Sequence, residues 1–191
     1  MKNKIVYIAL SVDVLHHGHI NLINHAKKYG KVVAGLLTDN AISSQKRLPL
    51  LNFSQRKKIL ENISGISKVV AQNEWEYSKN ILKIKPDYMI HGDDWIFGSD
   101  KNLRSGTIKA LKKIGGKLIE IPHTKNISSH SLKERMYLES TNPSSRQAIL
   151  KRLLEAKSIS RFLEAHSPLS AIIAEQVYYK NKQGKKIEFD G

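Results

Sequence analysis

Cysteine is absent from all 191 residues. That excludes disulfides and cysteine-based zinc sites, and it suits a reducing compartment such as the cytoplasm, where we expect the protein. Long apolar runs are also absent. The longest, Ile5 to Leu10 with interruptions to Leu15, is too short to span a bilayer. It follows MKNK, as a signal peptide would, but Asp13 interrupts it and no small-residue cleavage site follows. It therefore reads as a buried strand of a soluble chain. Acidic residues are few: 17 Asp and Glu stand against 32 Lys and Arg, for a net charge of +15. The excess is spread along the chain. It admits a nucleic-acid binder, an enzyme for polyanionic small substrates, or a solvated lysine-rich surface. No internal repeat is visible, and at 40% hydrophobic residues the chain can bury a core.

Short β-branched runs alternate with amphipathic stretches. Strands are expected at 5–10, 32–38, 67–71, 87–92 and 117–122. Helices are expected from Ile20 to Tyr29, stopped by Gly30, and from Ser54 as N-cap to Ile63. Further helices are expected from Tyr77 to Ile84, from Leu103 to Ile114, and after Ser128-Ser129. This alternation predicts an α/β fold with a doubly wound, Rossmann-like five-stranded parallel sheet. Near residue 140 the pattern changes. STNPSS (140–145) reads as a linker, followed by helices from Arg146 to about His166 and from Pro168 to about Val177. The final YYKNKQGKKIEFDG reads as a basic loop in which IEF could start a strand.

Three polar clusters fall at carboxyl ends of expected strands, where parallel sheets bind ligands. They are LHHGHI (15–20), HGDDW (91–95) and PHTKNISS (122–129). His16 and His19 lie three apart, with Gly18 between them, at the start of a helix. A helix N-terminus favours an anion, and two imidazoles there can donate to a phosphate as charge develops on it. A zinc site would want a glutamate base or third ligand nearby, and none is local. Core packing is a poor use of three histidines around a glycine. Phosphate binding is the favoured reading over both.

The stretch SVDVLHHGH resembles the HxGH signature of the nucleotidyltransferase superfamily. LLTD (36–39), QRKKILE (55–61), NEWE (73–76), HGDDW and IPHTKNISSHSLK (121–133) follow in the order and spacing of the glycerol-3-phosphate cytidylyltransferase family. The resemblance spans about residues 4–136, and no KMSKS-like loop points to a synthetase. It implies that His16 and His19 hold the phosphates of CTP, with Ser11, Asp13 and Gly18 lining the phosphate side. It places Lys46, beside Arg47, over the triphosphate or acceptor, and Arg56 on the acceptor's phosphate or phosphonate. Asp93, Asp94 and Trp95 would frame the nucleotide, and Ile127, Ser128 and Ser129 would donate to the triphosphate. Mg²⁺ would enter with CTP, without a protein metal site, and a homodimer is implied. The chain departs from the pattern at Leu10, where glycine is expected, and at Ser67, where aspartate is expected. At 123–126 it has His-Thr-Lys-Asn in place of Arg-Thr-Glu-Gly.

The tail FLEAHSPLSAIIAEQ (162–176) looks like the opening of phosphoenolpyruvate mutases, of the isocitrate lyase superfamily. Together the two resemblances imply a cytidylyltransferase domain at 1–140, a linker at 141–150, and at 151–191 the incomplete start of a mutase barrel lacking mutase activity. The expected acceptor is a small phosphonate or phosphate, 2-aminoethylphosphonate first, with neither nucleic acid nor membrane as partner. The alternatives are a cytidylyltransferase for glycerol 3-phosphate, phosphocholine or phosphoethanolamine, an adenylyltransferase of the same superfamily, and a non-catalytic nucleotide-binding module.

Overall fold

β1 (Ile5–Leu10) is buried at five of its six positions, and its alternate residues feed two different cores. Val6, Ile8 and Leu10 pack with Ile23, Ala26 and Leu60 on one face, whereas Tyr7 and Ala9 pack with Ile81, Ala110 and Leu111 on the other. A strand covered on both faces needs helices on both sides, the signature of a parallel sheet. The computed structural model describes residues 4–96, 101–124, 132, 143–156, 160, 162–180 and 186–188. Its main sheet also contains β2 (Lys31–Leu37), β3 (Ile66–Gln72), β4 (Tyr88–Gly92) and β5 (Lys117–Ile121). The order is β3-β2-β1-β4-β5 and every pairing is parallel. β1 is therefore flanked by β2 and β4, and the order reverses at the β1/β4 boundary. That switch point is where a crevice opens beyond the carboxyl ends.

The helices begin somewhat differently from the sequence expectation. α1 (His17–Ala26) starts three residues early because His16 itself caps it: its Nδ1 accepts from the Gly18 N–H at 3.2 Å. α2 (Asp39–Ser43), capped by Thr38, was not expected. α3 (Phe53–Glu61) is capped by Asn52 rather than Ser54. Asn52 accepts from the Gln55 N–H while the Gln55 side chain accepts from the Asn52 N–H, a reciprocal capping box. α4 (Ser78–Ile84) and α5 (Lys101–Ile114) fall close to their expected places.

Beyond the sheet, α6 (Pro143–Ala156) opens within the expected linker, with proline at the first helical position, and ends ten residues before His166. It packs against α2. α7 (Pro168–Gln176) is capped by Ser167. In the terminal stretch the strand expected at IEF is present as β7 (Lys186–Glu188), and it pairs antiparallel with β6 (Tyr178–Lys180), which the loop reading missed. No described helix is long and apolar enough to cross a membrane.

Candidate active site

The site is assembled at the carboxyl ends of β1, β2, β4 and β5. The chain leaves β1 through Val12, which adopts a left-handed φ of 47°, a strained setting for a β-branched residue. The turn aims the Ser11 carbonyl at Arg56 and the Asp13 carboxylate at the Leu50 N–H, each at 2.6 Å. Three residues later come the histidines. His16 Nδ1 accepts from Gly18 N–H, and His19 Nδ1 accepts from the His16 N–H at 3.3 Å. With both Nδ1 atoms engaged as acceptors, a neutral ring carries its proton on Nε2. The pair thus presents two Nε2–H donors beside the N–H groups of the helix start, with ring centroids 4.0 Å apart. Burial, reinforced by His16, lowers the His19 pKa to about 4, and burial lowers that of His16 as well. At neutral pH both are uncharged donors. A Cβ on Gly18 would come within 2.9 Å of the His16 ring, so glycine is what lets that ring fold back as a cap.

The β4 end supplies the opposite wall. Asp93, Asp94 and Trp95 form a single 3-10 turn after Gly92. Asp93 Oδ1 accepts from the His123 N–H at 2.9 Å, which staples the β4 end to the segment after β5. Asp94 is exposed. Trp95 is buried, stacked on His91 at 3.7 Å, and its Nε1 donates to Glu120 at 2.6 Å. Arg104 grips the same carboxylate with two 2.8 Å bonds and, with Trp95, holds Glu120 below the usual carboxylate range. Trp95 is therefore a fixed wall rather than an exposed ring.

The β2 end carries the cationic side. Lys46 follows α2, exposed, with its ammonium 5.1 Å from the centre of the Trp75 ring beyond β3. Arg56, expected to face the acceptor, is turned inward and fully buried. Its Nη1 donates to the carbonyls of Ser11 and Leu37, its Nε to that of Leu51, and its Nη2 to Asp39 at 2.6 Å. The guanidinium thus ties the ends of β1 and β2 together. Burial lowers its pKa, and Asp39 opposes that shift.

The structure brings His16, His19, Gly18, Asp13 and Ser11 together around the β1 exit, and sets Asp93 beside them through His123. Ile127, Ser128 and Ser129 lie outside the described residues. Three contributors lie inside the quoted segments PHTKNISS and LLTD but are not named individually as site residues from the sequence. His123 lies close enough to lower the pKa of both histidines, and Thr124 accepts from Asn21 of α1 at 3.3 Å. Asp39, within the quoted LLTD, is the counter-ion of Arg56. An unpaired buried arginine being costly, the acid that opens α2 just after β2 was the available signal. Among the described residues no group of three or more His, Cys, Asp or Glu is arranged to hold a metal ion.

A doubly wound sheet with a histidine-flanked helix N-terminus at its switch point is the architecture of an α/β phosphate-binding enzyme. The profile of the Cytidylyltransferase-like family matches residues 11–135, and the chain belongs to that family of nucleotidyltransferases. It is 30% identical over 138 residues to glycerol-3-phosphate cytidylyltransferase of Bacillus subtilis, covering 71% of this chain and 98% of that one. It is 28% identical over 140 residues to ethanolamine-phosphate cytidylyltransferase of Arabidopsis thaliana, covering 70% of this chain but only 32% of that protein. In fold it resembles a lipopolysaccharide core biosynthesis protein of Thermoplasma volcanium, with TM-score 0.55 and 21% identity over 64% of this chain and 98% of that one.

Proposed function

We propose that the chain transfers CMP from CTP to a phosphonate or phosphate oxygen of a small acceptor, 2-aminoethylphosphonate first, in the cytoplasm. The observation that carries the transfer is the pair of Nε2–H donors of His16 and His19 at the N-terminus of α1. The acceptor oxyanion attacks the α-phosphorus. The bond from that phosphorus to the bridging oxygen breaks, and its electron pair leaves on pyrophosphate. The imidazoles donate to phosphate oxygens as charge builds there, preorganised by their Nδ1 bonds. Lys46 and Arg47 add positive charge from the 44–51 loop, while Asp93 and Asp94 border the nucleotide. Mg²⁺ in this reading enters with the nucleotide, where it would neutralise phosphate charge. The functional unit in this reading is a homodimer.

Two observations favour the phosphonate. The tail at 162–176 resembles the start of a mutase that makes carbon–phosphorus bonds, which suggests a bifunctional protein in phosphonate or cell-surface polymer synthesis. In addition, a relative bears the name of an ethanolamine phosphate enzyme, and 2-aminoethylphosphonate is that acceptor without its ester oxygen. The test is pyrophosphate release from CTP and Mg²⁺ with 2-aminoethylphosphonate, phosphoethanolamine, phosphocholine and glycerol 3-phosphate in parallel, repeated with ATP. Release with the phosphonate alone is the expected result. Release with a phosphate ester instead overturns the acceptor and keeps the transferase, whereas release only with ATP moves the chain to the adenylyl branch. CTP binding without release from any acceptor supports a nucleotide-binding module.

A further inference from the structure

Helix α6 lies beyond residue 135, where the family match ends, yet it touches the site through one side chain. Arg152 Nη1 donates to the Leu50 carbonyl at 2.6 Å, and its Nη2 lies 3.7 Å from Asp39 Oδ2. Leu153 beside it is buried, and the carbonyl of Ala156 accepts from Ser43 Oγ of α2 at 3.5 Å. α6 therefore rests on α2 and on the 44–51 loop that follows it. Leu50 closes this loop and is held from both sides: Arg152 takes its carbonyl, and Asp13 takes its N–H at 2.6 Å. Asp13 in turn stands three residues before His16. The loop carrying Lys46 and Arg47 is thereby fastened at its far end to the histidine segment and to α6 at one residue.

We propose that Arg152 is a positioning residue for nucleotidyl transfer, and that through it α6 holds the Lys46–Arg47 loop in place against the site. Catalysis by cationic groups on a loop depends on how well that loop is preordered, since ordering it at the moment of binding subtracts from affinity. Removing Arg152 leaves the Arg56–Asp39 pair in place, so the sheet ends stay joined while the loop loses its outer fastening. Arginine suits the task because one nitrogen of its fork donates to the Leu50 carbonyl while another stays within ion-pair range of Asp39, which an ammonium does less well.

The experiment uses the full chain as wild type, Arg152→Met and Arg152→Lys. Trypsin cleavage after Lys46 and Arg47 is timed by mass spectrometry against cleavage after Lys57 and Lys58 in α3, with a thermal melt of each variant. Loss of a charge-assisted hydrogen bond predicts cleavage at 46–47 rising ~10-fold in Arg152→Met, with α3 cleavage unchanged. Only the kinetic arm rests on the nucleotidyl-transfer reading. With whichever acceptor supports wild-type turnover, kcat/KM falls by a similar factor, mainly through KM, and Arg152→Lys recovers part of it. Unchanged cleavage at 46–47, or equal rises at both places, overturns the proposal. If no acceptor supports turnover of the wild type, the transferase reading fails and with it the role of Arg152 in transfer, while the cleavage ratio still decides whether Arg152 fastens the loop.

Discussion

The N–H of His16 donates to Nδ1 of His19 at 3.3 Å, so the residue that caps α1 also fixes the tautomer of its partner. Cap and donor pair are one structure. The same bonds that start the helix turn two Nε2–H groups outward, and the half-buried, neighbouring rings stay neutral. Placement of the donor pair and local folding are therefore coupled at this corner of the molecule.

Replacing either His16 or His19 by alanine removes a preorganised donor, and turnover should fall ~10²-fold or more, read as pyrophosphate release. His16→Ala should also lower stability by about 1 kcal/mol through the lost cap. A rate near that of the wild type in both variants would remove the histidines from the reaction.

The acid behaviour of His19 can be followed by NMR titration of its ring protons. Its folded pKa of about 4 lies below the ordinary 6.5, so the unfolded chain binds more protons between those values. Its contribution to stability is complete above about pH 6.5 and is lost as the pH falls towards 4. Urea midpoints measured across that window should decline with falling pH, and the His19→Asn variant should decline less. Added CTP should raise the pKa, since phosphate charge favours the imidazolium.

Gly18→Ala places a methyl 2.9 Å from the His16 ring. The ring can swing away, so folding should survive, with a melting temperature lowered by at most about 2–4 °C for the displaced cap. The displaced cap should nonetheless cost turnover ~10-fold or more, because the donor leaves its aligned position. Activity equal to the wild type would show that ring placement at His16 is not limiting.

Arg56→Met breaks a buried ion pair and abandons three backbone carbonyls. Loss of one partner of such a pair costs about 3–5 kcal/mol, and the lower end is expected because Asp39 keeps Arg152 nearby and is partly exposed. Urea denaturation checks this. A small change in midpoint accompanied by a large rise in acceptor KM would return Arg56 to the contact role that the family resemblance implied.

Much of the sheet could be read from the chain because its signals are local. β-branched runs of five to seven residues, glycine stops and interposed amphipathic helices define a parallel α/β unit whichever way the strands are ordered. The HxGH and GDDW clusters were legible for the same reason, since each sits within a few residues of a strand end. The N-cap of α3 was misplaced by two residues because Asn52 and Ser54 are both plausible caps, and only the reciprocal bond with Gln55 separates them.

Composition, periodicity and element-terminating residues by themselves determined a doubly wound sheet with a histidine-rich polar cluster at its carboxyl edge. The tertiary structure decided which side chains face that edge and which turn inward. Arg56 and Trp95 carry polar groups at the right places in the chain, yet both point inward, because strand order brings Ser11, Leu37 and Asp39 around one and His91 and Glu120 around the other. His123 and Arg152 join the site from 107 and 136 residues beyond His16. A hydrogen bond between distant residues is set by the geometry of the packed sheet and helices, and no local pattern encodes it.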